Sequence, residues 1–181
     1  MSLKLKEQFC DETSLLGIID EMADQIAQGH AACDNLVFIG VLKGGAPVAD
    51  YLAQKVGDRL QKAIPVAYLD ISLYRDDVID TQGDPYSRKT EIPFAVQGKE
   101  IILVDDVFFT GRTTRAALSN IVALGRPQLV RLAVVVDRGF HELPIRPDYV
   151  GRVIETTRNQ GVRVRMSNTS DEPGILIYEQ D

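Results

Sequence analysis

Four apolar residues, two acids and a threonine-glycine turn constrain this chain more than any other feature. Ile101, Ile102, Leu103 and Val104 form an uninterrupted apolar run, the pattern of a strand buried on both faces of a parallel sheet. Asp105 and Asp106 follow where that strand is expected to end. Thr110-Gly111-Arg112-Thr113-Thr114 then leads into a helical pattern with Leu118, Ile121 and Val122 on one side. Strand, acid pair, small-residue turn and helix N-terminus in that order make a site for a phosphorylated sugar. The turn's N–H groups and the positive end of the helix dipole can hold a phosphate monoester. The two carboxylates can accept hydrogen bonds from vicinal hydroxyls or lie near a magnesium ion. Each half alone is common as a solvated turn or a plain helix cap; the combination is what is specific. It matches neither a Walker loop nor a GxGxxG dinucleotide fingerprint.

The length of 181 residues suits one α/β domain spanning 1–181. No apolar stretch approaches a membrane span, and the segment MSLKLKEQFC lacks the apolar core of a signal peptide. A cytoplasmic protein with no membrane partner is therefore expected. Cys10 and Cys33 are too few and too far apart for a disulfide framework or a zinc site, and with two His no metal site built by protein ligands alone is expected. The net charge of −6 opposes non-specific nucleic-acid binding.

Leu15, Ile18, Ile19, Met22 and Ile26 recur at helical spacing, with Asp11 or Thr13 as a cap and Gly29 as a stop. Residues 36–42 (LVFIGVL) read as a buried strand that runs into Lys43-Gly44-Gly45 and a helix through Val48, Leu52 and Val56. Gly44 and Gly45 allow backbone amides to approach a ligand, and Lys43 adds a charge. Residues 64–73 read as a further strand. The polar stretch 74–98 is too long for an ordinary connection and is expected to be a mobile flap that excludes water from the site. Its Arg75 and Arg88 could bring positive charge to a diphosphate. Residues 129–136 (LVRLAVVV) form another strand, with Asp137-Arg138-Gly139-Phe140 at its end. Ligands collect at the carboxyl ends of strands in open α/β sheets. Residues from about 140 to 181 are expected to form a small hood or extra sheet edge.

The segments LDISLYRDD (69–77), ILVDDVFFTGRT (102–113), ALGRPQLVRLAVVVDRG (123–139) and ELPIRPDYVG (142–151) together resemble the pyrimidine-operon attenuation regulator family. That family consists of uracil phosphoribosyltransferases with the type I phosphoribosyltransferase fold, and some members also bind messenger RNA. The DD…TGRT signature is shared by many type I enzymes, whereas DRG…ELPIR…DYVG is specific to this family.

The resemblance implies the reaction of 5-phosphoribosyl-1-diphosphate (PRPP) with uracil to give UMP and pyrophosphate, with Mg2+ as cofactor. It implies that Asp105 and Asp106 are the catalytic acids, holding the ribose hydroxyls. PRPP binding falls to Leu42, Lys43, Gly44, Gly45 and Arg75, and to Val107, Phe108, Phe109, Thr110, Gly111, Arg112, Thr113 and Thr114. Arg138 and the backbone near Val162 are expected to frame the pyrimidine, and a homodimer or higher homo-oligomer is expected. The chain also departs from the family pattern. Its first loop, Leu42-Lys43-Gly44-Gly45, is similar to that of 6-oxopurine phosphoribosyltransferases, which keeps a purine enzyme as an alternative. Against that, Phe109 stands where those enzymes carry an Asp near the purine imidazole. For RNA, Arg146 and Arg152 are the candidate contacts. The first helix is acidic (Asp20, Glu21, Asp24) and His141 is mostly neutral at pH 7, so RNA binding is expected to be weak. The competing class is an RNA-binding attenuation regulator whose transferase site serves as a nucleotide sensor.

Overall fold

The computed structural model describes residues 3–71, 90, 92–167 and 172–180. Five strands form a wholly parallel sheet in the order β3-β2-β4-β5-β6: β2 (Leu36–Val41), β3 (Val66–Leu69), β4 (Glu100–Phe108), β5 (Leu129–Asp137) and β6 (Tyr149–Val153). Central position explains the character of β4. Ile101 and Leu103 pack on one face with Val37, Ile39, Leu132 and Val134, while Ile102 and Val104 pack on the other with Phe38, Ala133 and Val135. The period of two therefore splits one apolar run between two cores.

Helices cover both faces. The first core holds α1 (Glu12–Gly29), through Leu15, Ile19, Met22 and Ile26, and α2 (Gly45–Leu60), through Val48, Leu52 and Val56. Asp11 caps α1 by accepting a hydrogen bond from the Ser14 amide at 2.9 Å. The second core takes α3 (Arg112–Leu124) through Ala117 and Ile121. Val122, expected on that buried side, is 63% exposed, because one step beyond Ile121 turns the side chain about 100° around the helix.

A second sheet, antiparallel and of three strands in the order β1-β8-β7, stands beside the first. It comprises β1 (Leu3–Asp11), β7 (Gln160–Arg165) and β8 (Gly174–Gln180). The two forms expected for residues 140–181, a hood and an extra sheet edge, are both present. Residues 149–153 join the main sheet as its edge, since β6 pairs in parallel with β5. The hood sheet also recruits β1, whose mixed LKLKEQFCD sequence gives a poor apolar alternation and which is held by pairing with β8. Most of the expected flap, including Arg75 and Arg88, lies outside the described residues.

Candidate active site

The carboxyl ends of β2, β4 and β5 each carry polar or glycine-rich residues, and the fold brings them together. The acid pair lies inside β4, which runs on to Phe108, and not beyond the strand as the sequence suggested. Pairing with β5 continues through Val107–Val136 and Phe108–Asp137, so neighbouring backbone extends the strand past the acids. Asp105 is buried, and its Oδ1 accepts a hydrogen bond from the Asp106 amide at 3.0 Å. Asp106 is half-buried and faces the first loop.

That loop needs its glycines for contact with β4. A β-carbon on Gly44 would overlap the Asp106 carboxylate, and one on Gly45 would overlap the Val104 carbonyl. The two motifs, some sixty positions apart in sequence, are thus in backbone-level contact. Leu42 is buried, Lys43 is exposed, and a cis peptide joins them.

Phe109 and Thr110 form a bend, and Gly111 at φ +87° is the N-cap of α3. That left-handed conformation suits glycine and aims the first helical amides across the end of β4. The Arg112 amide has only a long contact, 3.4 Å, to the Thr110 hydroxyl. The Thr113 and Thr114 amides make no intrahelical bond, as the first turn of a helix requires. Phosphate-sized anions are held by such an arrangement. Val107 and Phe108, also expected at this site, contribute backbone instead: Phe108 is buried in the second core and Val107 packs against the first.

Arg138 provides the third wall. Burial pushes its guanidinium pKa down, yet the group is well satisfied. It donates to the Thr156 hydroxyl at 3.2 Å and to the Thr157 and Gln160 carbonyls, and it stacks 4.1 Å from the centre of the Phe109 ring. Phe140 meets Phe109 edge-on at 5.7 Å. Val162 turns its side chain into the core, so only its backbone region, two residues beyond Gln160, stands near Arg138.

Sequence reasoning passed over Glu142. Its amide donates to the Thr110 carbonyl at 3.1 Å, and its carboxylate accepts two bonds from Arg112 at 3.0 and 3.1 Å. The 139–143 loop is thereby laid over the turn at residues 110–112. Two further clefts lie elsewhere, one of about 610 Å³ along α2 and one of about 420 Å³ at the amino ends of the strands.

The sequence profile of the phosphoribosyl transferase domain matches residues 7–168. Among curated relatives, the "Bifunctional protein PyrR" of Pelotomaculum thermopropionicum is 43% identical, with 96% of each chain covered. The protein of that name from Thermus aquaticus is 38% identical, with 99% of each covered. The chain belongs to the PyrR family of type I phosphoribosyltransferases. Among solved structures, the hypoxanthine phosphoribosyltransferase of Trypanosoma cruzi superposes with a TM-score of 0.73 at 21% identity, covering 98% of each chain. At that identity the match speaks for the fold that PyrR proteins share with purine enzymes, and leaves the base open. Among the described residues, no helix is long and apolar enough to cross a membrane.

Proposed function

We propose that the protein transfers the 5-phosphoribosyl group of PRPP to uracil, releasing pyrophosphate and forming UMP. The observation that carries this reading is the contact of the Gly44-Gly45 loop with the Asp105–Asp106 segment, beside the N-terminus of α3. Diphosphate, ribose and 5-phosphate thus have adjoining walls. In this reading, the first amides of α3 hold the 5-phosphate, and Asp106 with Asp105 accepts hydrogen bonds from the ribose hydroxyls. Leu42, Lys43, Gly44 and Gly45 face the diphosphate. The C1–oxygen bond breaks as the bond from C1 to the uracil nitrogen forms, and positive charge develops on the ribose between fixed carboxylates. The rate then depends on orientation and electrostatics, with no covalent protein intermediate.

The hard oxygen donors of Asp105 and Asp106 fit magnesium, which they would hold together with PRPP; when bound it neutralises the departing diphosphate. Arg138, Phe109 and the backbone at 160–162 frame the base. A phenyl ring at position 109 cannot exchange a proton with a purine nitrogen, which favours the pyrimidine. Cys10 and Cys33 are both free thiols, in keeping with a cytoplasmic setting. A dimer or higher homo-oligomer rests on the family resemblance, with the exposed Val122, Leu124 and Val153 as candidate contacts. The test of the base is PRPP-dependent conversion of uracil, hypoxanthine, guanine and xanthine side by side. Uracil turnover is expected; efficient purine turnover with uracil inert would overturn the assignment.

A second reading, RNA-dependent regulation, is favoured by near-full-length similarity to relatives named as bifunctional. The expected weak binding rests on the acidic α1, and Arg146 and Arg152 are the candidate contacts at the surface. Arg152 is paired with Glu21 at 2.9 Å, and Arg146 is turned onto the carbonyls of Leu143 and Ile145. Titration of a pyrimidine-operon leader RNA with and without UMP distinguishes the two.

A further inference from the structure

At the amino ends of the parallel strands, far along β4 from the acid pair, three side chains of different chemistry converge. His30 follows α1, and Cys33 is held one turn later because its amide donates to the His30 carbonyl at 3.0 Å. Glu100 opens β4. The ligand-capable atoms of His30, Cys33 and Glu100 all lie within 4.8 Å of one another, with His30 Nδ1 and Glu100 Oε2 at 2.7 Å. His30 and Cys33 are 6% and 8% exposed. His30 and Glu100 also line the cleft of about 420 Å³, which gives an entry path and room for water as a further ligand.

His30 and Glu100 already have outer partners of the kind that orients metal ligands, while the Cys33 thiol donates to Asn35 until its proton leaves. The Tyr149 hydroxyl lies 3.2 Å from His30 Nε2. Gln128 donates to Glu100 Oε1 at 3.0 Å, which leaves Oε2 for the cluster. Asn35 Oδ1 lies 3.1 Å from Cys33 Sγ. His30 Nδ1 is hydrogen-bonded to Glu100 Oε2, and a cation can take the place of that bridging proton once the ring hydrogen sits on Nε2 and is donated to Tyr149. The surrounding charges do not forbid one. Arg131 in the cleft is bound to Asp148 at 2.6 Å, and Lys62 donates to the Cys33 carbonyl.

We propose that His30, Cys33 and Glu100 form a structural binding site for a borderline-soft divalent cation, zinc above all. Zinc takes nitrogen, sulfur and oxygen donors in a tetrahedron, whose ligand atoms stand about 3.3–3.6 Å apart at ordinary bond lengths. Opening the His30–Glu100 contact by about 0.6 Å, and drawing the Cys33 sulfur in from within 4.8 Å of the other two atoms, reaches that separation. A thiolate and a carboxylate balance the charge of the ion, and the thiol proton leaves to water on binding. The site ties the end of α1 to the start of β4.

The test uses the full chain without PRPP or magnesium, titrated with Co2+ as a spectroscopic probe and then with Zn2+. One equivalent of Co2+ is expected to give a thiolate-to-cobalt charge-transfer band and the visible bands of a tetrahedral ion, displaced by Zn2+. The charge-transfer band should vanish in Cys33→Ser and persist in Cys10→Ser. Zn2+ at a hundredfold excess over Kd should raise Tm by about 5 °C in the wild type and not in Cys33→Ser. Glu100→Gln, whose fold is checked by circular dichroism, should keep the thiolate band with affinity at least about tenfold weaker. Absence of the band in wild-type protein, its survival in Cys33→Ser, its loss in Cys10→Ser, or unchanged affinity in Glu100→Gln would each overturn the site.

Discussion

The two ends of the parallel sheet are built from different materials. At the carboxyl ends the site is largely backbone: amides at the start of α3, a glycine pair against β4, and a left-handed Gly111. Its acid pair, Asp105 and Asp106, consists of neighbours on one strand. At the amino ends the polar groups are side chains drawn from four places, His30, Cys33, Glu100 and Tyr149, and they bind mainly one another. Backbone amides at a helix start point at a ligand whether or not one is bound, which suits a site that fills and empties each turnover. Interlocked side chains suit a permanent fastening, because removing one leaves its buried partner unsatisfied. One end should therefore govern catalysis and the other stability.

The largest expected break comes from Asp106→Asn. It leaves the shape but, in the proposed reaction, removes a charge-assisted acceptor beside the reacting carbon, so turnover should fall by about 100-fold or more while Tm stays within a degree or two. Steady-state kinetics beside a thermal melt reads both; wild-type turnover would remove Asp106 from the catalytic centre. Gly111→Val acts through the backbone. The φ of +87° disfavours a β-branched residue, and added atoms point towards Leu143 and Phe108, each 3.5 Å from where a β-carbon would sit. The phosphate turn should distort, and UMP affinity by calorimetry should fall by at least about tenfold, since the amides no longer converge. Unchanged affinity would place the phosphate elsewhere.

The carboxyl end was legible in the sequence for a physical reason. Each of its motifs is contiguous and of restricted composition: acids towards the end of a strand, glycine where φ is positive or backbones meet, small residues at a helix start. The unbroken apolar run of β4 was legible because both its faces are buried, and the buried faces of α1 and α2 because local geometry imposes a period. Three features escaped. β1 has no clean alternation and exists through its pairing with β8. Glu142 reaches the phosphate turn across thirty positions by an ion pair. The convergence of His30 and Cys33, one of the two His and one of the two Cys, on Glu100 is the third. Folding places one of each beside a glutamate that no spacing rule connects to them.

A smaller effect tests the other side of the comparison. Tyr149→Phe removes the hydroxyl facing His30 Nε2, leaving a buried ring nitrogen without its partner. Stability should drop by about 1–3 kcal/mol in urea denaturation with kcat unchanged. A fall in kcat at unchanged stability would mean that the two ends are not separate in function.

The smallest expected effect concerns RNA, on the surface between α1 and β6. Glu21 accepts bonds from Arg152 at 2.9 and 3.5 Å, and this hydrogen bond holds the Glu21 carboxyl below its usual pKa. Because that pKa is lowered on folding, the pair contributes above the ordinary carboxylate range and is lost as pH falls through it. Both side chains are well exposed, so solvent screens the pair and the fold barely depends on it. For an RNA phosphate the pair matters more, since Glu21 both occupies Arg152 and repels the strand. Glu21→Gln frees the guanidinium and should raise leader-RNA affinity by about two- to tenfold at physiological salt, steepening the salt dependence by about one counterion. Base turnover and Tm should not move. Arg152→Ala in the same background should cancel the gain, because the freed guanidinium is its source. If Glu21→Gln leaves the affinity and the salt slope where they were, Arg152 is not an RNA contact, and any leader binding must use another face.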